Sequence, residues 1–430
     1  MLKSGKQWYG EEFGNLPGRP LSRQFTLNIP ALISGETAFL QSEVIGRTAG
    51  ASSTMRISVG SSTVLTHLLP SVGTGQYDQI ASTSNTGNTF IPNSSNSISL
   101  TYTFQPGGIN SQAWLNWFEV FPKRNLSLAG VNQLLFRDWE SVGLGNIAEF
   151  RLTEASVNTA VWDVTVPENP VALKPVIQGN ELRFSASAER LREYVAFQNQ
   201  GFLLPEARGT VANQNLHGLS RIDYIIVSNP TFIQEARRLA TWHQEKQGLR
   251  TAVVTTEQVY NEFSSGMPDP TAIRDFVKMF YDKAGSNLTD RPRYLLLFGD
   301  ASYDFKNRIA GNNNLVPCFQ SENSLDPLST YTSDDFFGFL DDNEDVNTSF
   351  PLSLLDIGIG RIPARTIQDA KSVVDKIFRY HDKESFGPWR NQITLVADDE
   401  DNNLHFDDAE FHSTVIKPKE IFQLNKIYLD

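Results

Sequence analysis

The feature that most constrains the fold is a change of pattern near residue 222, after which continuous apolar runs alternate with segments of helical periodicity. Apolar runs of about five residues are typical of strands that are covered on both faces. The expected strands are 223–227, 251–254, 294–298, 354–359 and 392–396, and the expected helices lie near 232–248, 269–280 and 366–380. This alternation predicts a three-layer α/β domain with a mainly parallel sheet.

The residues before this change carry the patterns of β-structure. Residues 21–120 are poor in charge and rich in Ser, Thr, Asn and Gly, and apolar and polar residues alternate at 24–29, 55–59 and 97–104. The run at 114–121 ends this region as a strong strand. These runs predict a β-sandwich that is jelly-roll-like. Residues 125–215 continue in β-structure with more charge, and they include a polar linker from residue 198. We therefore expect a β-sandwich domain at 1–124, a small β domain with linker at 125–217, and the α/β domain at 218–430.

Charge and cysteine content exclude several classes of protein. The chain has a net charge of −12 and contains no run rich in Lys or Arg, so it lacks the cationic surface that releases counterions from nucleic acid. No segment reaches the ~20 apolar residues of a membrane-spanning helix. Cys318 is the only cysteine, so an intrachain disulfide is excluded. Its apolar, strand-like surroundings favour a small buried thiol over a nucleophile.

Acidic residues dominate the places where chemistry is expected. In an open α/β sheet, functional groups collect at the carboxyl ends of the strands, and the strand at 294–298 is followed by Gly299, Asp300 and Asp304. Calcium favours clustered carboxylate and carbonyl oxygens, so Asp300 and Asp304 are candidate ligands of a structural calcium ion. The alternative is that Asp and Asn here occupy turns and caps. The spacing of an EF-hand loop is absent, so the sequence indicates no dedicated calcium motif.

No complete set of catalytic residues is evident in the sequence. The Walker A, Rossmann, Gly-x-Ser-x-Gly and zinc-binding motifs are absent, and no nucleophile–base pair can be assigned. No cofactor is required by any motif. The chain stops within a strand-like run at 421–430, which predicts that it is a truncated piece of a longer protein.

Three motifs in a fixed order resemble a known family. They span 294–300 (YLLLFGD), 332–338 (TSDDFFG) and 357–363 (IGIGRIP). Together they resemble the gingipain-type cysteine peptidases, and within that family the sortases of the type IX secretion system of Bacteroidetes. The resemblance implies a caspase-like α/β fold with a Cys–His dyad that cleaves carboxyl-terminal secretion signals from exported proteins at the cell surface. It also implies other components of the type IX secretion system as partners.

The family's catalytic motifs are missing from this sequence. In the family the histidine lies in a Gly-His-Gly-like turn after a later strand and the cysteine follows the next strand, and neither motif occurs here. Cys318 does not match the position of the nucleophile. The resemblance therefore implies a chain that stops before the catalytic His and Cys and is inactive alone. It also implies a parent protein that is exported and either associated with the outer membrane at the cell surface or extracellular.

Two acids match positions that have roles in the family. Asp356, five residues before Arg361, matches an acid that orients the catalytic histidine; the alternative is a strand acid that is paired locally. Asp369 matches an acid that faces the basic substrate side chain in arginine-specific members. The alternative for Asp369, which we favour, is that it closes a capping box with Thr366.

A second interpretation of the whole chain is a non-catalytic surface protein. A β-sandwich of adhesin or carbohydrate-binding type, joined to an inert α/β domain, would use Trp114 and Trp117 to stack on sugar rings. The commoner alternative for such tryptophans is a place in the core of the sandwich.

Overall fold

The structure is a computed structural model that describes residues 5–14, 16–33, 35–94, 96–108, 110–198, 201–207, 209–344, 346 and 353–429. It divides into two compact units. The first comprises residues 1–213 and 320–332, and the second comprises residues 214–319 and 333–430. Contacts therefore place the two expected β regions in one unit, where the sequence suggested boundaries at 124 and 217. They also add to that unit a segment from within the α/β region.

Eight strands form the first β region. They are β1 (Glu12–Gly14), β2 (Ser22–Asn28), β3 (Ala38–Arg47), β4 (Ser53–Val59), β5 (Ser62–Leu69), β6 (Ser82–Phe90), β7 (Ser97–Gln105) and β8 (Gln112–Phe121). They pair as two antiparallel sheets, ordered β1-β8-β3-β6 and β2-β7-β4-β5. Along β7 every second side chain is buried, and Leu100 and Tyr102 pack with Leu40 and Val44 of the other sheet. The all-β architecture expected from the alternating pattern is confirmed.

Seven shorter strands form the second β region of the same unit. They are β9 (Gln133–Phe136), β10 (Ile147–Leu152), β11 (Ala160–Asp163), β12 (Val171–Ala172), β13 (Val176–Gln178), β14 (Glu181–Ser187) and β15 (Tyr194–Phe197). The sheets are ordered β10-β14-β13 and β12-β11-β15-β9. Phe150, Phe184 and Tyr194 fill the core with ring centroids 5.0–5.2 Å apart, so aromatic packing holds this small region together.

The second unit is built from alternating strands and helices. Its elements are β16 (Tyr224–Ser228), α1 (Ile233–Gln247), β17 (Thr251–Thr255), α2 (Thr256–Phe263), α3 (Pro270–Ala284), β18 (Tyr294–Phe298), β19 (Phe319–Gln320), β20 (Thr332–Ser333), β21 (Gly358–Ile362), α4 (Ile367–His381), β22 (Gln392–Asp398), α5 (Glu400–Ile416) and β23 (Gln423–Leu429). The main sheet is parallel, with the order β17-β16-β18-β21, and β22 and β23 form a separate parallel pair. The predicted α/β fold with a mainly parallel sheet is confirmed.

The continuous apolar runs are explained by helices on both faces of the main sheet. Ile225 and Leu297 point to one face and pack against Phe276 of α3. Ile226 and Leu296 point to the other face, in a cluster that includes residues of α1 and α4. Each strand of this kind buries consecutive side chains, because successive side chains point to opposite faces and both faces are covered.

The structure corrects parts of the sequence-based assignment. β21 begins at Gly358 and not at residue 354, because Gly358 N donates to Arg293 O and fixes the pairing with β18. The sequence does not predict α2, which follows β17 directly: Thr255 ends the strand and is also the N-cap, in a capping box with Gln258. It also does not predict α5. β23 matches the expected last strand, whose final residue, Asp430, lies outside the described residues.

A segment of the α/β region, residues 320–332, is part of the first unit. We call it the insertion; β19 and β20 pair at its base. Leu325 is buried in a cluster with Ile45 and Trp114. Ile80 N donates to Leu325 O at 2.9 Å, and Lys6 N donates to Ser321 O at 2.8 Å. The insertion therefore supplies both core and backbone contacts to the sandwich.

Candidate functional site

The carboxyl ends of the four parallel strands meet at one edge of the main sheet. Ser228 of β16 is in register with Thr255 of β17 and with Phe298 of β18, and Phe298 is in register with Ile362 of β21. The segments that follow these residues therefore lie at the same edge, which is where open α/β sheets place their functional sites. The residues of this carboxyl edge are Asn229, Thr256, Gly299, Asp300 and 363–365.

Gly299 directly follows β18 and has a backbone conformation that disfavours any side chain. Its φ is +150°, a value that is strained for residues with a Cβ. A Cβ at this position would also lie 2.8 Å from Val316 Cγ2. Gly299 N donates to Ile362 O at 2.9 Å and so ties β18 to the end of β21. Because Gly299 has no side chain, Val316 can pack close to its backbone.

Asp300 is held in an ion pair. Its Oδ2 accepts a hydrogen bond from Arg365 Nε at 2.6 Å, and its backbone N donates to Ala364 O. Because Arg365 neutralises this carboxylate, Asp300 does not present a free charge to a cation. Its candidate role as a calcium ligand stays a prediction.

Arg361, near the end of β21, binds several groups around the end of β18. Its Nη1 donates to Gly299 O at 2.9 Å and to Val316 O at 2.8 Å, and its Nη2 donates to Pro317 O at 3.1 Å. Two further hydrogen bonds join it to Asp334. The sequence identifies Arg361 only as part of a motif and does not reveal these contacts. The available signal was the Gly-x-Gly-Arg sequence at the end of a strand, together with the Asp-Asp pair earlier in the chain.

Cys318 lies beside Arg361 and Asp334 but is not set up as a nucleophile. The thiol is partly buried, and burial raises its pKa, which disfavours the reactive thiolate. Four of the six histidine side chains hydrogen-bond or pair with Ser84, Glu262, Gln247 and Asp401. The other two, His381 and His412, make ring contacts, and no described hydrogen bond joins a histidine to Cys318. The described residues therefore contain no Cys–His dyad.

Asp356 lies at the opposite end of the sheet from Gly299. It precedes β21, and its Oδ2 accepts a hydrogen bond from Leu340 N at 2.9 Å. Carboxylate oxygens of Asp356, Asp341 and Glu344 all lie within 4.8 Å of one another. The described structure thus brings together acids other than the pair Asp300 and Asp304. The histidine-orienting role of Asp356 stays a prediction.

Asp369 forms the capping box at the start of α4. Its Oδ2 accepts from Thr366 N at 3.0 Å, and Thr366 Oγ1 accepts from Asp369 N at 3.1 Å. The hydrogen bond with Thr366 lowers the pKa of Asp369. The capping box is the alternative that the sequence favoured for Asp369. Its substrate-facing role stays a prediction.

The tryptophans suggested for sugar stacking do not both face solvent. Trp114 is buried in the cluster with Ile45 and Leu325, and Trp117 is partly buried. Trp114 therefore serves the packing of the first unit, which is the commoner alternative for such a residue.

Residues 217–430 match the sequence model of peptidase family C25. A solved structure similar to the chain is that of dimeric latent PorU from Porphyromonas gingivalis, with a TM-score of 0.78 and 28% sequence identity. The match covers 91% of this chain and 38% of that chain, so this chain spans well under half the length of that PorU. No curated protein sequence matches the chain significantly.

Two carbohydrate-binding modules match the chain weakly. TmCBM61 in complex with beta-1,4-galactotriose has 12% identity and a TM-score of 0.17, and the match covers 24% of this chain and 62% of that one. CsCBM6-3 from Clostridium stercorarium in complex with cellobiose has 18% identity and a TM-score of 0.15, with 27% and 88% covered. TM-scores this low support no inference about the first unit.

Proposed function

Because residues 217–430 belong to peptidase family C25, we propose that the chain is the scaffold portion of an exported, cell-surface cysteine endopeptidase of the PorU type. The parent enzyme removes carboxyl-terminal secretion signals from exported proteins and works with other components of a type IX secretion system. The catalytic Cys and His come from residues that this sequence does not contain, so the chain is inactive alone.

The observation that carries this proposal is the extent of the similarity to PorU. The match covers 91% of the chain at 28% identity, so it includes both compact units and not only the family C25 region. The carboxyl edge supports the same conclusion. Arg361 joins Gly299 and Asp334 through hydrogen bonds at this edge, while the described residues supply no activated thiol.

Asp356 and Asp369, the two acids that match family positions, have different roles in this proposal. Asp369 is occupied by its hydrogen bonds with Thr366, so we give it a helix-capping role. Asp356 retains its candidate role through the family position. Since it lies at the amino end of β21, the proposal gives it no direct contact with a base at the carboxyl edge.

The test compares this chain with the protein encoded by its full reading frame. Each is incubated with an exported protein that carries a carboxyl-terminal secretion signal, and cleavage is followed by intact-mass analysis. We expect cleavage by the full protein only, and its loss when the Cys of the dyad is replaced by Ala.

Two results would contradict the proposal. Cleavage by this chain alone would show that its own residues hold a dyad. A full reading frame without a later Gly-His-Gly turn and a strand-end Cys would instead favour the non-catalytic surface-binding interpretation.

A further inference from the structure

β21 is an end strand of the main parallel sheet. It comes last in the order β17-β16-β18-β21, and β22 and β23 form a separate pair. Gly358 N donates to Arg293 O, and Ile362 O accepts from the residue after β18, so the even-numbered residues of β21 bond to β18. Successive residues of a strand direct their N–H and C=O groups to opposite sides. The backbone groups of Ile359 and Arg361 therefore point away from β18, and no strand of the described chain pairs with them.

This outer edge of β21 lacks the features that usually protect an end strand. Such strands are commonly blunted by charged side chains, a proline, a bulge or a covering element. β21 has the sequence Gly-Ile-Gly-Arg-Ile and pairs with β18 along its whole length without a register shift. Its one charged side chain, Arg361, is paired with Asp334, and Gly358 and Gly360 are exposed. The outer edge is thus open to pairing with another extended segment.

A cavity lies beside the same strand. Its volume is about 410 Å³, and its wall includes Gly358 and Gly360 of β21 together with Tyr224, Tyr294 and His243. The centroid of the Tyr224 ring lies 4.6 Å from that of His243 and 6.1 Å from that of Tyr294. A cavity with aromatic walls suits an aromatic side chain.

The two glycines explain why the cavity is open next to β21. Gly358, Gly360 and Ile362 share one face of the sheet, because alternate residues of a strand do so. Ile362 fills its position and is buried with residues of α1 and α4. A Cβ at Gly360 would approach only Leu296 Cδ1, at 3.9 Å. An aromatic side chain from a neighbouring strand can occupy the room that an edge glycine leaves.

We propose that the outer edge of β21 binds an extended segment of a partner protein that carries an aromatic side chain. The segment adds a strand to the sheet and hydrogen-bonds to the backbone of Ile359 and Arg361. Its aromatic residue lies beside Gly360 and enters the cavity lined by Tyr224 and Tyr294. Strand addition takes its affinity from main-chain hydrogen bonds and its specificity from pockets for alternate side chains.

This binding edge is distinct from the carboxyl edge at Gly299 and Asp300. The residues that line the cavity include neither Asp356 nor Asp369, the two acids that match family positions. The proposal therefore does not depend on the proposed peptidase activity, and its failure would leave that proposal unchanged.

β17, the end strand at the other side of the sheet, is the matched comparison. It is also a five-residue parallel strand that pairs on one side only. Its sequence, Thr-Ala-Val-Val-Thr, contains no glycine. The side chains of Ala252 and Val254 are buried, so β17 leaves no room of the kind found at Gly360.

The test is titration of the full chain with a labelled peptide, followed by fluorescence anisotropy. The peptide has about seven residues, within the usual length of a strand, and alternates Thr and Gln around one central Phe. We expect saturable binding with a Kd below ~1 mM. Replacing the Phe by Ala is expected to weaken binding about three- to tenfold, the range of one aromatic contact.

Two variants of the chain locate the binding site. Gly360→Val places a branched side chain in the cavity and is expected to weaken binding by about tenfold or more. Thr251→Val, on β17, is the control and should bind the peptide as the unmodified chain does. Equal weakening by the two variants would overturn the proposal. A peptide whose binding is unchanged by replacing Phe with Ala would exclude the cavity.

Two alternately N-methylated forms of the peptide test the strand pairing itself. Each form blocks the amides on one side of the extended peptide, so only the form that blocks the side facing β21 should lose binding. Equal binding by the two forms contradicts strand addition. So does the absence of binding of the unmodified peptide up to ~1 mM.

A measurement on the unmodified chain keeps the proposal testable if Gly360→Val fails to fold. Amide hydrogen exchange is recorded with and without the peptide. Slower exchange at 357–362 with no change at 251–255 supports the site on β21. Protection confined to 251–255 excludes it.

Discussion

Arg361 and Asp334 form a two-point ion pair in which Nε and Nη2 of the guanidinium each lie 2.7 Å from a different carboxylate oxygen. The same guanidinium donates to Gly299 O. These three residues come from the three sequence motifs at 294–300, 332–338 and 357–363. The motifs are far apart in the chain but meet at one side chain, which gives a physical reason why they occur as an ordered set.

Replacing Arg361 is expected to destabilise the second unit strongly. Its side chain is 13% exposed, and Arg361→Ala leaves Asp334 and three backbone oxygens without their donor. Breaking one side of a largely buried pair costs about 3–5 kcal/mol. The measurement is the free energy of unfolding in denaturant. Asp375→Ala is the control, because Asp375 and its partner Arg238 are 39% and 41% exposed and such a pair contributes roughly 0–1 kcal/mol. Equal losses for the two variants would contradict the role given to Arg361.

Gly299→Ala is expected to be more harmful than Gly311→Ala. Both glycines have positive φ, +150° and +74°, but only at Gly299 would the new Cβ meet a neighbour, Val316 Cγ2 at 2.8 Å. We expect a loss of about 1 kcal/mol at Gly311 from the backbone alone and about 2–4 kcal/mol at Gly299. Thermal unfolding measures both. If crowding by Val316 is the cause, Val316→Ala in the Gly299→Ala background restores part of the loss.

His67 is expected to make the first unit sensitive to acid. The ring is fully buried in β5, with Nδ1 3.1 Å from Ser84 Oγ, and burial lowers its pKa to about 4. Between pH 4 and the ordinary value of about 6.5, the unfolded chain binds a proton that the native state does not. Stability therefore falls as the pH falls through this window, by about 3 kcal/mol in total.

The pH dependence is measured by unfolding at several pH values. His67→Gln is expected to have a shallower loss of stability between pH 6.5 and 4, because glutamine does not titrate there. His405→Gln, at an exposed position, is the control and should keep the slope of the unmodified chain. Identical slopes for all three proteins would exclude His67 as the cause.

Leu325 and Leu328 offer a matched pair within the insertion. Leu325 is 8% exposed and packs with Trp114, whereas Leu328 is 73% exposed. Leu325→Ala is expected to lower the free energy of unfolding of the first unit by about 2–4 kcal/mol through the cavity it leaves. Leu328→Ala should change it by less than about 0.5 kcal/mol. A similar small effect for both would mean that the insertion is not part of the core.

The sequence predicted the fold where local patterns determine it. The runs at 224–228 and 294–298 are buried on both faces, so their composition alone indicated their place in the sheet. The sequence does not predict helix α2, because Thr255 is both the last residue of β17 and the N-cap of the helix. No loop residues separate the strand from the helix. The predicted start of β21 was wrong because pairing with Arg293 and Tyr294 fixes where the strand begins, and those residues lie far away in the chain.

The site was predicted less completely, because its geometry depends on contacts between distant residues. Asp300 and Asp304 stood out as acids after a strand, but the sequence did not show that Arg365 neutralises Asp300 or that Asp304 is buried. The role of Arg361 also required the folded arrangement of Gly299, Val316 and Asp334. A strand-end pattern reveals which residues reach an edge, but not which of their charges are already paired.

The docking of the insertion onto the sandwich bears on how the protein is made. A ribosome delivers residues in order, so Leu325 emerges only after β16, β17 and β18 have been synthesised. Domains generally fold as units, beginning at the amino terminus. The core of the sandwich cannot be completed, however, until Leu325 has been synthesised. A gene segment ending at residue 213 encodes a β unit without the insertion, and transferring this unit between proteins requires two exchanges of coding sequence.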